Sequence, residues 1–163
     1  MTAHSHGFNP SLEDARAFRD ALGRYATGVT IVTCASDAGP QGMTVNSFTS
    51  LSLDPPLVLW CPAKSANRHD MFVGAKHFSI HILSDAQKDF CMGFAKGPSP
   101  FDQVDWTPDA NGTPILPGTL ARFDCMHHAV HDGGDHSILV GRVLNVELTD
   151  GTPLIYYGGG FRD

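Results

Sequence analysis

The sequence predicts a mainly β protein, an antiparallel barrel with a few covering helices. Three observations carry this expectation. Segments with strand character outnumber helical ones. Most are joined by hairpin-type turns, and no regular βαβ alternation appears, which disfavours a parallel Rossmann sheet.

In chain order, Met1 to Pro10 is polar and reads as a flexible tail, leaving one domain over 11–163. Ser11 to Tyr25 reads as a helix, with Ser11 and Asp14 as a capping signal, Phe18, Leu22 and Tyr25 at helical spacing, and Gly28 as the stop. Val29 to Cys34 is rich in β-branched residues and predicts a strand. Gly39-Pro40 marks a turn, and Gly42 to Leu53 predicts one long extended region rich in Ser and Thr. Asp54-Pro55-Pro56 interrupts it before an apolar strand from Leu57 to Cys61. Ser65 to Val73 predicts a short helix capped by Ser65. His77 to Ile82 alternates polar with apolar residues, the pattern of a half-buried strand. Ser84 and Gln87 form a capping box for a helix running to about Ala95. Lys96 to Pro117, dense in Pro, Gly and Asp, predicts a long surface loop of the kind that is often functional. Thr119–Val130 and His136–Leu148 predict two long strands around an Asp132-Gly133-Gly134 hairpin turn. Asp150-Gly151 is a further turn before a last strand from Pro153 to Tyr157.

Composition narrows the function classes. With 163 residues, 42% hydrophobic and 17% charged, the chain suits a single globular domain. The formal charge of -6 argues against nucleic acid as a partner. An anionic cofactor must then be attracted by a local site rather than by the overall field. Cys34, Cys61, Cys91 and Cys125 are scattered without a C-x-x-C pair and are expected as buried free thiols in a reducing compartment. No apolar run approaches the roughly 20 residues that cross a membrane, and the expected location is the cytoplasm.

Several chemical motifs are missing: no G-x-G-x-x-G opens a helix, no P-loop lysine is present, and no G-x-S-x-G elbow occurs. Three stretches remain. Thr44-Val45-Asn46-Ser47-Phe48-Thr49-Ser50, read as a strand, offers a strip of hydroxyl and amide groups for the polar edge of a planar heterocycle. An ordinary polar edge strand fits the same composition. Lys64-Ser65-Ala66-Asn67-Arg68 makes a phosphate site without a P-loop, or else a capped surface helix. Gly134-Asp135-His136 holds a histidine against a turn, where it either contacts a second ligand or faces solvent. His127, His128, His131 and His136 invite a metal. Neighbouring strand residues face opposite ways, however, and no acidic or Cys partner stands at ligand spacing, so no metal site is expected.

Taken in order, these segments resemble the flavin reductase-like family, the small reductase components of two-component flavin monooxygenases. The resemblance runs from about Phe18 to Phe161. It rests on Ala26 to Thr33, on Gly42 to Ser52 followed by Asp54-Pro55-Pro56-Leu57-Val58, on Gly134 to Val143, and on Pro153 to Tyr157. It implies a six-stranded antiparallel Greek-key split barrel and a homodimer with flavin at the subunit interface. It implies that Thr27, Gly28 and Thr30 lie near the isoalloxazine, and that Thr44, Val45, Asn46, Ser47 and Thr49 bind its edge and ribityl chain. Cys61, Pro62, Lys64, Ser65 and Arg68 would surround the phosphate, and Phe94 and Ala95 would close the pocket. His136 would contact the nicotinamide dinucleotide as the catalytic-site histidine, with Tyr157 close by. The sequence departs from the family at His81, where relatives commonly have Asn, and at Trp60 and Cys61.

The implied activity is reduction of FMN or FAD by NADH or NADPH, with reduced flavin passed to a separate oxygenase. Such hydride transfer needs no side-chain nucleophile, in keeping with the missing motifs. The alternatives are a split-barrel flavoprotein of the pyridoxamine phosphate oxidase type and a flavin-binding module without turnover.

Overall fold

The computed structural model describes residues 6–162. Of the expected tail, residues 1–5 lie outside the described residues, and residues 6–10 carry no helix or strand. The elements in order are α1 (Ala15–Leu22), β1 (Thr27–Gly28), β2 (Thr30–Ser36), β3 (Gly39–Val45), β4 (Thr49–Leu53), β5 (Pro56–Trp60), α2 (His69–Gly74), β6 (His77–Ile82), a 3₁₀ turn (Asp85–Gln87), α3 (Lys88–Ala95), β7 (Thr107–Pro108), β8 (Pro114–Ile115), β9 (Ala121–Gly133), β10 (His136–Leu148), β11 (Ile155–Tyr157) and β12 (Gly160–Arg162). The fold is mainly β and antiparallel, as expected.

The main sheet has seven strands in the order β3-β2-β6-β9-β10-β5-β4, where six were expected. The extra strand arises because the region 42–53 does not stay extended. It breaks at residues 46–48, so that β3 and β4 end up as the two opposite edges of the sheet. A second sheet, β1-β11-β12, lies at the chain ends, and a small β7-β8 hairpin completes the strands.

The long β9–β10 hairpin closes through Gly134 and Asp135, with Gly133 paired to His136. Gly134 has φ +78°, the first-position requirement of a type II′ turn. The turn therefore sits one residue later than Asp132-Gly133-Gly134. The first hairpin turns at Asp37 and Ala38 rather than at Gly39-Pro40, both of which belong to β3. Pro40 is tolerated there because β3 is an edge strand.

Helix boundaries also shift. The Ser11 hydroxyl donates to the Asp14 carboxylate at 2.8 Å, so these side chains satisfy each other and α1 starts only at Ala15. The helix ends at Leu22, with Gly23 rather than Gly28 past its end. Ser65 caps nothing: residues 64–68 wind into turns, with Ala66 N–H on Ala63 O and His69 N–H on Ala66 O, before α2 begins. The Ser84–Gln87 capping box is present, the Gln87 side chain accepting the Ser84 N–H at 3.1 Å.

Two cores flank the sheet. One packs Val32, Trp60, Phe72, Phe78, Ile80 and Leu139. The other packs Ile31, Leu83, Phe94, Phe101, Leu116 and Leu154. Phe90, Phe94, Phe101 and Trp106 form a chain of edge-to-face rings, with centroids 5.2–5.4 Å apart, and such pairs contribute about 0.5–1.5 kcal/mol each beyond burial. Phe94 lies against bare backbone, because a Cβ on Gly42 would stand 2.5 Å from its ring.

The segment 96–117 is therefore not wholly a surface loop. Phe101, Thr113, Pro114 and Leu116 are buried, because this chain roofs the second core. The same roof makes β6 buried on both faces rather than half-buried: Ser79 and His81 are covered along with Phe78 and Ile80. Of the four cysteines, Cys34, Cys91 and Cys125 are buried free thiols and Cys61 is only partly covered.

His81 fastens the roof. Its ring contacts Ile31 O at 3.1 Å through Nδ1, and its Nε2 accepts the Leu116 N–H at 3.2 Å. The bond from Leu116 requires the neutral ring, with Nδ1–H donating to Ile31 O, and burial lowers its pKa from 6.5 to about 4. The unfolded chain takes up this proton near pH 6.5, while the folded one resists until about pH 4. Its stabilising contribution is complete above pH 6.5 and is lost progressively as pH falls toward 4. Denaturant titrations over that range should show a steeper loss in the wild type than in His81→Asn. Parallel profiles would contradict this.

Candidate functional site at the edge of the sheet and the hairpin tip

The strand β3 and the end of α3 border two cavities. The larger, about 980 Å³, lies between Gln41, the turns carrying Ser65 and Arg68, and residues 95–103. The smaller, about 400 Å³, is lined by Thr44, Val45 and Asn46, by Met92 of α3, and by Tyr156 and residues 159–161. Ala95 borders both.

Arg68 is built into the wall of the larger cavity. Its guanidinium donates to Gly42 O at 2.5 Å, Ser99 Oγ at 2.8 Å and Phe94 O at 3.4 Å. No carboxylate neutralises it among the described residues. Burial lowers its pKa, since removal from water disfavours a charge. A half-buried, unneutralised guanidinium beside Ser65 suits an anion.

The structure brings together Thr44, Val45, Asn46 and Ala95 in one cavity and Ser65, Arg68 and Ala95 in the other. Asn46 and Ser47 do not lie on a strand face as expected, because the backbone leaves the extended form there to link the two sheet edges. Ser47 is instead a staple, its Oγ accepting the Cys61 N–H at 2.9 Å. The Thr30 hydroxyl is buried and donates to Val45 O at 2.9 Å. The Thr44 hydroxyl donates to Cys91 O. Phe94 is fully buried in the second core, so only its neighbour Ala95 reaches the cavities. Pro62 is buried, and its carbonyl accepts the Ser137 N–H at 3.0 Å. The Cys61 thiol is raised in pKa by burial. Thr49 and Gly28 are exposed, and Tyr157 lies 5.5 Å from the Arg162 guanidinium. Thr27 pairs with Tyr156 across β1 and β11, and its buried hydroxyl has no hydrogen-bond partner among the described residues.

The hairpin tip is a separate corner. His136 Nδ1 lies 2.7 Å from Asp135 Oδ1, and its side chain is 44% exposed. The hydrogen bond from His136 holds the Asp135 carboxyl below its ordinary pKa. Lys64 pairs with Asp132, whose carboxyl pKa is lowered by that hydrogen bond, and lines neither cavity. The Lys64 N–H donates to Asp135 O at 2.9 Å, and Ala63 bridges His136. The phosphate-type turns and the histidine hairpin are thus laced together. Among the described residues no group of three or more His, Cys, Asp or Glu is placed to hold a metal ion.

Sequence reasoning missed Met92, Ser99 and the 159–161 segment. The Gly158-Gly159 pair, with φ +59° and +80°, turns β11 into β12 and brings Phe161 to the cavity. Two glycines between short aromatic strands are a hairpin signal that could have been read.

Residues 22–163 match the family described as Flavin reductase like domain. The chain belongs to this family. Among the relatives of this flavin reductase-like chain is the FMN reductase (NADH) SmoA of Agrobacterium fabrum, 52% identical over 158 residues, which are 97% of this chain and 91% of SmoA. The flavin-dependent monooxygenase reductase subunit HsaB of Rhodococcus jostii is 41% identical over 150 residues, 91% of this chain and 77% of HsaB. The NADH:FAD oxidoreductase SgcE6 of Streptomyces globisporus C-1027, in complex with NAD and FAD fragments, superposes with a TM-score of 0.89 at 35% identity, covering 96% of each chain.

Arg68 has a structural consequence that can be measured. Arg68→Met removes the guanidinium bonds to Gly42 O, Ser99 Oγ and Phe94 O, leaving Gly42 O only the Ser99 hydroxyl, and should lower unfolding free energy by about 1–3 kcal/mol in urea titration. Unchanged stability would show that the guanidinium holds nothing.

Proposed function

We propose that this chain is an NAD(P)H:flavin oxidoreductase that reduces FMN or FAD and releases it to a separate monooxygenase. The observation that carries the reading is the pair of adjoining cavities meeting at Ala95, one with Thr44 and Asn46, the other with Ser65 and Arg68. A planar heterocycle with a phosphorylated tail needs this division into an apolar slot with a few polar groups and an anion-holding corner. The orphaned Thr27 hydroxyl beside Tyr156 suits a heterocycle heteroatom as its missing partner. SmoA is named as an NADH-dependent FMN reductase and HsaB as a monooxygenase reductase subunit, which supports the same reading.

A bound flavin supplies the hydride-accepting chemistry. The protein's residues orient and hold. Thr44, Val45, Asn46 and Ala95 border the ring, with Thr27, Gly28, Thr30, Ser47 and Thr49 around it. Arg68 and Ser65 hold the phosphate, with Cys61 and Pro62 shaping that corner through Ser47 and Ser137. His136, oriented by Asp135, presents its Nε2 to the dinucleotide. Fixed placement of two reactants is what such a site contributes to the rate.

We infer a split barrel, whose two sheet edges β3 and β4 are linked by residues 46–48, and a homodimer. Leu51 and Leu53 on β4, with Leu144, Val146 and Leu148 on β10, are 43–96% exposed on neighbouring parts of the sheet. Apolar surface of this extent marks an interface. No helix among the described residues is long and apolar enough to cross a membrane. The free thiols suit the cytoplasm.

Purified protein mixed with NADH should consume it at a rate that rises with added free FMN or FAD. His136→Ala should raise the KM for NADH roughly tenfold, about the worth of one hydrogen bond. Tightly retained flavin with no NADH loss would favour the non-catalytic module. In sedimentation analysis the wild type should be a dimer and the double variant Leu53→Glu/Leu144→Glu a monomer. A monomeric wild type would overturn the inferred assembly.

A further inference from the structure

Arg68 and His136 each have a chain neighbour that reaches the other's. His69 follows Arg68 and opens α2, and Ser137 follows His136 on β10. His69 Nε2 lies 2.9 Å from Ser137 Oγ, and His69 Nδ1 lies 2.8 Å from Asp70 Oδ1. An ionised carboxylate only accepts. In the neutral ring Nδ1 therefore carries the proton, and Nε2 accepts the Ser137 hydroxyl. Ser137 is 6% exposed and the His69 side chain 13% exposed, so this bond is shielded from water.

A Ser, His and Asp in a hydrogen-bonded row is also the arrangement of a hydrolytic nucleophile. Three features oppose that use. Ser137 borders neither cavity of the site. Its own N–H is taken by Pro62 O and cannot serve an oxyanion. Asp70 is fully exposed, whereas a buried carboxylate is what orients a catalytic imidazole. The row is built to transmit position.

We propose that the His69–Ser137 hydrogen bond is a positioning couple that fixes His136 relative to the Arg68 corner, so that dinucleotide docking depends on it. The inference rests on His136 being the dinucleotide contact. Lys64, Ala63 and Pro62 hold the hairpin by its backbone at one end of the turns. His69 is the side chain that holds it from α2, at the other end of those turns. Without it the hairpin keeps its pairing with β5 and its backbone bonds to Pro62, Ala63 and Lys64 but loses its tie to α2, and the His136 side chain gains freedom that docking must remove.

The test is steady-state kinetics with NADH and with flavin varied separately, for wild type, Ser137→Ala, His69→Phe, the double variant and His69→Gln. Each single variant should raise the KM for NADH about three- to tenfold, the size of one lost hydrogen bond. The flavin KM should move by less than about twofold. The double variant should be no worse than either single one, since both remove the same bond. His69→Gln, whose amide oxygen reaches the place of Nε2, should recover most of the loss. An unchanged NADH KM, an equal rise in both KM values, or additive losses would overturn the proposal. So would hydrolysis of p-nitrophenyl acetate that Ser137→Ala abolishes. Calorimetric titration of NADH into the same proteins reads the couple without turnover. If the wild type consumes no NADH with flavin, the reductase reading fails. The couple itself still stands or falls on whether the variants weaken NADH binding.

Discussion

The guanidinium of Arg68, hydrogen-bonded to β3, to α3 and to the 96–117 segment at once, is the interaction on which the site's shape depends. These three pieces are distant in sequence, and Gly42 and Ser99 already hydrogen-bond each other. One planar donor with several N–H groups adds a bond to each of the three pieces without a carboxylate, which leaves the positive charge uncancelled. The same side chain therefore defines a wall and supplies a local attraction for an anion, in a protein whose formal charge is -6.

The histidine hairpin is linked to that wall by other means. Backbone bonds from Lys64 and Ser137, the Lys64–Asp132 pair and the His69–Ser137 bond join residues 62–69 to the tip of β9 and β10. Exposed ion pairs of the Lys64–Asp132 type contribute little on their own. Here such a pair adds to a set of backbone bonds that fix the spacing between the Arg68 corner and the His136 corner. Placement matters more than affinity in a site where the protein has only to hold its reactants in register.

Much of this was legible in the sequence. The hairpin around Gly134, the Ser84–Gln87 box and the existence of a strand from His77 to Ile82 are local signals that local geometry decided, whereas the burial of that strand's polar face was not legible. Thr44, Asn46, Ser65, Arg68 and Ala95 were singled out and do border the cavities. What was hidden depended on partners far along the chain. Ser47 looks like a cofactor donor until Cys61 claims its hydroxyl. The pairing of Lys64 with Asp132, 68 residues on, has no local signal either. The Pro- and Gly-rich 96–117 segment looks like solvent-exposed loop, because its few apolar residues follow no period and find their core only in three dimensions.

Gly42 gives the partition between the chambers its character. With no side chain there, the Phe94 ring rests directly on the strand, and the next residue, Ala95, faces both cavities. Ala95 is thus a wall residue shared by the two chambers, set on the fully buried Phe94 beside it. Sliding or tilting the end of α3 alters both chambers together, so their two volumes form a single mechanical variable.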